Sequence, residues 1–206
     1  MKNIEVVVVA TANQGKIKEI RDIMQVFGIQ VISRDEAGVP ADLEIAETGD
    51  TFEENSMIKA KAIMELTGMP TIADDSGLCV DFLDGAPGVY SSRFSGIDGD
   101  DEKNNEKLLE LMKDAKEEER TGRFVSVVTF VEPLGEELTA RGTVEGKLAY
   151  ECRGANGFGY DSLFIPQEFD KTFGELDPAL KNKLSHRAKA LENLKKIFLE
   201  KNLYER

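Results

Sequence analysis

The chain has 206 residues, 41% of them hydrophobic and 32% charged, enough apolar material for one large domain or a two-lobed one. A formal net charge of −13 excludes a nucleic-acid or acidic-membrane surface, which needs a basic footprint, so any anion must be held by local cations or metal. No apolar run is long enough for a membrane span, no signal-peptide core is present, and Cys79 and Cys152 form no C-x-x-C, all of which point to a reduced cytoplasmic protein.

Residues 4–10, a near-continuous β-branched run, predict a buried strand. The turn Thr11-Ala12-Asn13-Gln14-Gly15-Lys16 follows, then a helix over 16–27 closed by Gly28, and a second strand at 29–33. This turn stands where α/β proteins often bind phosphate, yet it matches neither G-x-G-x-x-G nor G-x-x-x-x-G-K-[ST]. A helix starting near residue 14 aims its first amides at an anion. Lys16 in that first turn is unfavourable to the helix dipole unless an anion intervenes. The alternative is a surface pair between Lys16 and Glu19 at i+3.

Thr51 opens a second helix through the capping box Thr51-x-x-Glu54, and Gly68 stops it. At about 100° per residue, Lys59 shares a stripe with Phe52, Ile63 and Leu66, so it is either recruited inward or snorkels at the stripe's edge. Glu47 lies just before this helix. Residues 71–74 and 78–83 predict strands interrupted at Ser76-Gly77. Asp74 and Asp75 should then face opposite ways, so that only one enters a given cleft. Carboxylates from separate segments suit Mg²⁺ bound partly through substrate phosphates, while an Asx-turn closing at Gly77 is the structural alternative.

A charged helix over 100–118, a strand over 123–131 and part of a hairpin over 137–147 come next. Gly154-Ala-Asn-Gly-Phe-Gly159 precedes no helix and therefore fails as a dinucleotide fingerprint. It either presents Phe158 to a flat ligand, with Asp161 beyond Tyr160 as a hydrogen-bond acceptor, or forms an ordinary bulge or turn. After a strand at 162–165, Asp177-Pro178 opens a helix running to about residue 202, with Asp as N-cap and Pro at N1. His186 is the only histidine, which rules out a multi-His metal site. In one continuous helix His186 and Arg187 point about 100° apart; a fresh helix capped by Ser185 projects both from its first turn beside Lys181. A solvated basic face is the alternative. The whole reads as an α/β fold over residues 1–206, a single two-lobed domain with a three-layer core, a mixed twisted sheet and a second β-rich lobe, its active-site cleft between the lobes.

Taken in order, TANQGK, ETGDTFEENSMIKAKA, ADDSGLCVDFLDGAPGVYSSRFSG, GFGYDSLFIP and KNKLSHRAKAL resemble the inosine/xanthosine triphosphate pyrophosphatase family, from Val6 through about Leu191. The resemblance implies hydrolysis of non-standard purine nucleoside triphosphates (ITP, dITP, XTP) to the monophosphate and pyrophosphate, with Mg²⁺ as cofactor in a homodimer. It implies a phosphate grip at Thr11, Ala12, Asn13, Gln14, Gly15 and Lys16, with Lys59 as a second phosphate lysine. Glu47 and Asp75 become the metal-associated acids, Asp75 also the general base, and Ser76 a substrate contact. Ala46 replaces a common second glutamate beside Glu47. Phe158, Gly159, Tyr160 and Asp161 match the base-binding loop, and Lys181, His186 and Arg187 the base and cleft wall. Arg187 and His186 are then donors that welcome a 6-oxo group over adenine's amine, with Asp161 as acceptor. The competing readings are a Maf-like pyrophosphatase of other specificity and a non-catalytic nucleotide sensor.

Overall fold

The computed structural model describes residues 4–201 and 203; the last turn of the helix expected to reach 202 ends on a residue outside them. In chain order the elements are β1 (Val6–Val9), α1 (Gln14–Val26), β2 (Gln30–Ser33), α2 (Phe52–Thr67), β3 (Thr71–Val80), α3 (Asp101–Leu111), β4 (Thr121–Val131), β5 (Glu137–Leu148), β6 (Phe164–Pro166), α4 (Pro178–Leu184) and α5 (His186–Glu200). The strands form one sheet in the order β2-β1-β3-β4-β5-β6. β1 runs parallel to β2 and β3, whereas β5 and β6 are antiparallel, so the sheet is mixed. The fold is mixed α/β.

The chain divides into two compact units. The first takes residues up to 75, 126–142 and from 187 onward; the second takes 76–125 and 143–186. In the first, the alternation of side chains along β1 builds three layers. Val7 and Val9 pack on one face with Ile17 and Ile20 of α1 and Leu191 and Leu194 of α5. Val8 turns to the other face, with Ala60 and Ile63 of α2. In the second unit Leu78 and Val80 of β3, Leu108 of α3, Phe124 of β4 and Phe164 of β6 share a separate core.

Local signals held where backbone chemistry decides the outcome. Thr51 accepts from the Glu54 amide while Glu54 reaches back, and Gly68 ends α2 in the left-handed conformation at φ 64°. Three expectations are corrected. β3 passes unbroken through Ser76-Gly77, so neither the interruption nor the Asx-turn exists; the strand is buried on both sides for most of its length, and sheet pairing outweighs the local turn preference. The charged helix stops at Leu111 rather than near 118: the Lys113 amide turns back to the Glu110 carbonyl, and the Met112 carbonyl closes a tight turn with the Ala115 amide while also accepting from the Arg120 guanidinium at 3.0 Å. The C-terminal helix is two helices. Ser185 is extended (φ −64°, ψ 157°) between α4 and α5, which selects the fresh-helix reading.

Candidate active site

In the first unit, α1 is capped by Asn13, whose carboxamide oxygen accepts from the Lys16 amide at 3.0 Å. That leaves the amide half of Asn13 as the end able to meet an anion. The Asn13 amide in turn donates to Thr11 Oγ1 at 3.2 Å, and Gln14 folds back onto the Ala12 carbonyl. Whereas α2 and α3 each carry two acids in the first turn, α1 carries none, so no acid of its own first turn compensates its positive terminus. Lys16 does not pair with Glu19. Its ammonium sits 2.9 Å from Asp74 Oδ2, and Glu19 instead pairs with Arg187.

Lys59 does not snorkel. It is buried on α2 with Phe52 and Ile63, while Leu66, assigned to the same stripe, is 59% exposed. Lys59 Nζ lies 2.7 Å from Asp75 Oδ1 and 3.1 Å from Glu47 Oε2. Burial opposes its charge, but Asp75, Glu47 and Asp74 together raise its pKa above the ordinary lysine value.

The two neighbouring aspartates on β3 do face opposite ways, and their environments push them apart. Asp74 is buried, yet Arg187, Lys16 and a Ser126 hydroxyl donor outweigh that burial and hold its carboxyl well below the usual range. Asp75 is 5% exposed, and burial raises it to about 6 against the pull of Lys59 and Lys16, with Glu47 adding to the rise. Its Oδ2 is buried and has no hydrogen-bond partner. A carboxylate with one held oxygen, one bare oxygen and an affinity for protons near neutrality is built to take a proton or a cation.

Among the described residues no three His, Cys, Asp or Glu side chains gather into a ready-made metal cluster. Glu47 and Asp75 nevertheless fit Mg²⁺, which commonly takes one or two carboxylates and completes its shell with water and phosphate oxygens. The bare Asp75 Oδ2 is the atom that such an ion would satisfy. Charge bookkeeping agrees: Lys16, Lys59 and Arg187 stand against Glu19, Glu47, Asp74 and Asp75, leaving no surplus positive charge for a triphosphate.

In the second unit the glycine-rich loop is tied down from within. Asp161 accepts from the Phe158 amide at 2.8 Å and from Lys181 Nζ at 2.5 Å, both side chains of the ion pair being buried. Gly157 is required by close approach, since a Cβ there would collide with Asp161 Oδ2. Lys181 Nζ lies 5.0 Å from the centre of the Phe158 ring. His186 stacks on Phe124 with ring centres 4.7 Å apart. Tyr160 is buried with its hydroxyl on the Ser91 carbonyl, and burial, with Asp101, raises its pKa. Ser76 is half-buried on β3.

The expected site residues thus fall into two sets. Thr11 to Lys16, Glu47, Lys59, Asp75 and Arg187 belong to the first unit; Ser76, Phe158 to Asp161, Lys181 and His186 belong to the second. Arg187 is the residue whose surroundings differ most from the expectation: its guanidinium is buried on Glu19 and on Asp74, the latter at 3.1 Å. Sequence reasoning missed Glu19 and Ser126 as partners and missed Asp101 and Asn105, which bond to the Gly159 backbone. No local pattern marks any of these four, because each contact joins distant segments.

A family model described as the Ham1 family matches residues 7–197. A curated protein of Vibrio parahaemolyticus serotype O3:K6 (strain RIMD 2210633), named dITP/XTP pyrophosphatase, is 46% identical over 190 residues, covering 91% of this chain and 94% of its own. A Bacillus subtilis (strain 168) protein of the same name is 46% identical over 190 residues, with 92% and 95% covered. Among solved structures, a HAM1 protein from Coxiella burnetii matches with a TM-score of 0.83 at 39% identity, covering 96% of this chain and all of that one.

Proposed function

The chain belongs to the Ham1 family, and from that premise we propose that it hydrolyses ITP, dITP and XTP to the nucleoside monophosphate and pyrophosphate. The observation that carries the mechanism is Asp75: buried, raised to about 6, and with Oδ2 lacking a hydrogen-bond partner. At neutral pH it is ionised yet basic enough to orient a water molecule and take its proton. The water oxygen then bonds to the α-phosphorus, the bridging bond between the α- and β-phosphates breaks, and pyrophosphate leaves. Asp74 is a poor base, since Lys16, Arg187 and Ser126 hold it ionised and saturated. The α1 amides, Asn13, Lys16 and Lys59 bind the phosphates, and Thr11, Ala12, Gln14 and Gly15 shape that turn. Glu47 and Asp75 would hold Mg²⁺, which when bound offsets phosphate charge and polarises the scissile group.

At the other end of the substrate, Phe158 stacks on the base, with Ser76, Gly159 and Tyr160 lining that end, Lys181 and His186 donating to the 6-oxo group and Asp161 accepting beside it. Adenine presents an amine there, which these donors cannot bond, so the site favours the oxo purine. A homodimer in the cytoplasm is part of the same proposal; among the described residues no helix is long and apolar enough to cross a membrane.

One incubation tests the reading. ITP with Mg²⁺ should yield IMP and pyrophosphate, with ATP and GTP at least roughly a hundredfold poorer, equivalent to about 2.7 kcal/mol. Release of single phosphates rejects attack at the α-phosphorus. Preference for a pyrimidine or modified nucleotide supports the Maf-like reading, and binding without turnover supports the sensor.

A further inference from the structure

Gly159 sits between Phe158 and Tyr160, with φ 60°, and both of its peptide groups are claimed by α3. Its amide donates to Asp101 Oδ2 at 2.6 Å, and its carbonyl accepts from Asn105 Nδ2 at 2.9 Å. Asn105 Nδ2 also donates to the Asp101 carbonyl at 2.8 Å, so the two residues form a single clamp one helical turn apart. Asn105 is 7% exposed, which is foreign to a solvated helix face. Asp101 is not needed to cap its own helix, because Asp100 already does so, accepting from the Lys103 amide at 3.0 Å. The Phe158 amide, for its part, is held by Asp161, which is paired with Lys181 of α4, so the loop is tied to two helices and α3 is the one that holds the Gly159 peptide groups.

We infer that Asp101 and Asn105 are positioning residues for base recognition, fixing the Gly159 backbone so that the Phe158 ring is presented in one orientation. The inference rests on the proposed reading of Phe158 as the platform for the base. A loop glycine loses much conformational freedom on ordering, and two bonds to a helix settle that cost before substrate arrives. Losing the clamp therefore weakens binding at the base end. It leaves the phosphate end and the chemical step alone, the pattern of a raised KM with kcat kept.

The test uses the full-length protein with ITP and Mg²⁺, comparing Asn105→Ala, Asp101→Ala, Asp101→Asn and Phe158→Ala, and the double variant Asn105→Ala/Phe158→Ala. Asn105→Ala and Asp101→Ala should each raise KM about five- to twentyfold with kcat within about threefold of wild type. Asp101→Asn keeps an acceptor for the Gly159 amide and should restore KM to within about threefold. Inhibition by pyrophosphate, which reads the phosphate end, should not change. If the clamp acts through Phe158, adding Asn105→Ala to Phe158→Ala raises KM no further; independent sites would multiply their effects. Multiplicative effects, or a fall in kcat at unchanged KM, overturn the inference. If Phe158→Ala raises KM while both clamp variants keep wild-type KM, the clamp fails and the platform stands. If Phe158→Ala itself leaves KM unchanged, the platform reading fails and the clamp's role in recognition falls with it.

Discussion

Asp75→Asn should cost activity and add stability, and the two effects have one cause. Burial raises the Asp75 carboxyl from 3.8 to about 6 although Lys59 Nζ is 2.7 Å away. A carboxyl whose folded pKa is raised favours the folded state while it is protonated. That contribution is complete below about 3.8 and is lost as pH rises through about 6. At pH 7.5 the ionised side chain therefore works against folding by at most about 3 kcal/mol. An asparagine at this position is neutral at every pH and keeps the shape. Lys59 retains Glu47 at 3.1 Å, and the lost Asp75 contact returns part of the gain. A net increase of about 1–2 kcal/mol should lift the melting temperature by about 2–8 °C for a chain of this size. Melting followed in EDTA at pH 5 and pH 7.5 checks this, with the difference from wild type shrinking at the lower pH. Pyrophosphate release should fall by about a hundredfold or more in kcat, as expected for loss of a general base. The acid limb that Asp75 contributes to the wild-type rate profile should disappear with it. A variant that melts well below wild type at pH 7.5 would make Asp75 the structural counter-ion of Lys59, and near-wild-type turnover would remove it from catalysis altogether.

Asp74→Asn should behave in the opposite way: it strips the shared partner from Lys16 and Arg187, and breaking such a buried pair costs about 3–5 kcal/mol, read as a lowered melting temperature. Lys16→Ala and Lys59→Ala should weaken ITP and XTP by similar factors, near 1.5–3 kcal/mol in kcat/KM, because both act on the phosphate end; a changed ITP-to-ATP ratio with intact ITP efficiency would contradict that role. Arg187→Ala separates its two assignments. Its ion pairs with Glu19 and Asp74 lead us to expect lost stability with the ITP-to-ATP ratio preserved, whereas a narrowed ratio would establish it as a reader of the base.

The sequence carried the parts of this molecule that short-range chemistry determines. The β-branched run of β1, the Thr51 cap and the Asp177-Pro178 start are written in neighbouring residues, and all appear in the structure. The start of α1 with Lys16 in its first turn was legible for the same reason: a lysine at the positive end of a helix is an electrostatic oddity visible from spacing alone. What failed was everything settled by distant segments. Ser76-Gly77 has turn chemistry, but a strand buried on both faces does not yield to it. The run after Leu111 is rich in helix formers, but it tightens into a turn at Met112, whose carbonyl is shared by the Ala115 amide and the Arg120 guanidinium.

The Asp74-Asp75 pair marks the boundary between these cases. Strand alternation tells from sequence alone that two adjacent acids must part, and they do. It cannot tell which one becomes the base, because that depends on what waits on each face. Asp74 is bonded by Lys16, Arg187 and Ser126, enough donors to hold it ionised; Asp75 is bonded by one lysine, shared with Glu47, and feels Lys16 only at a distance, so it stays protonatable with an oxygen uncommitted. The distinction between a structural carboxylate and a reactive one is therefore a count of donors per face. Moving one donor should move the chemistry. Ser126→Ala removes only a neutral donor from Asp74, whose two cations remain, so it should leave the acid limb in place. Lys59→Met leaves Asp75 without its nearest cation, and the limb should move to higher pH as the carboxyl rises further. A limb that moved with Ser126→Ala but not with Lys59→Met would assign the base to Asp74 and reverse the argument.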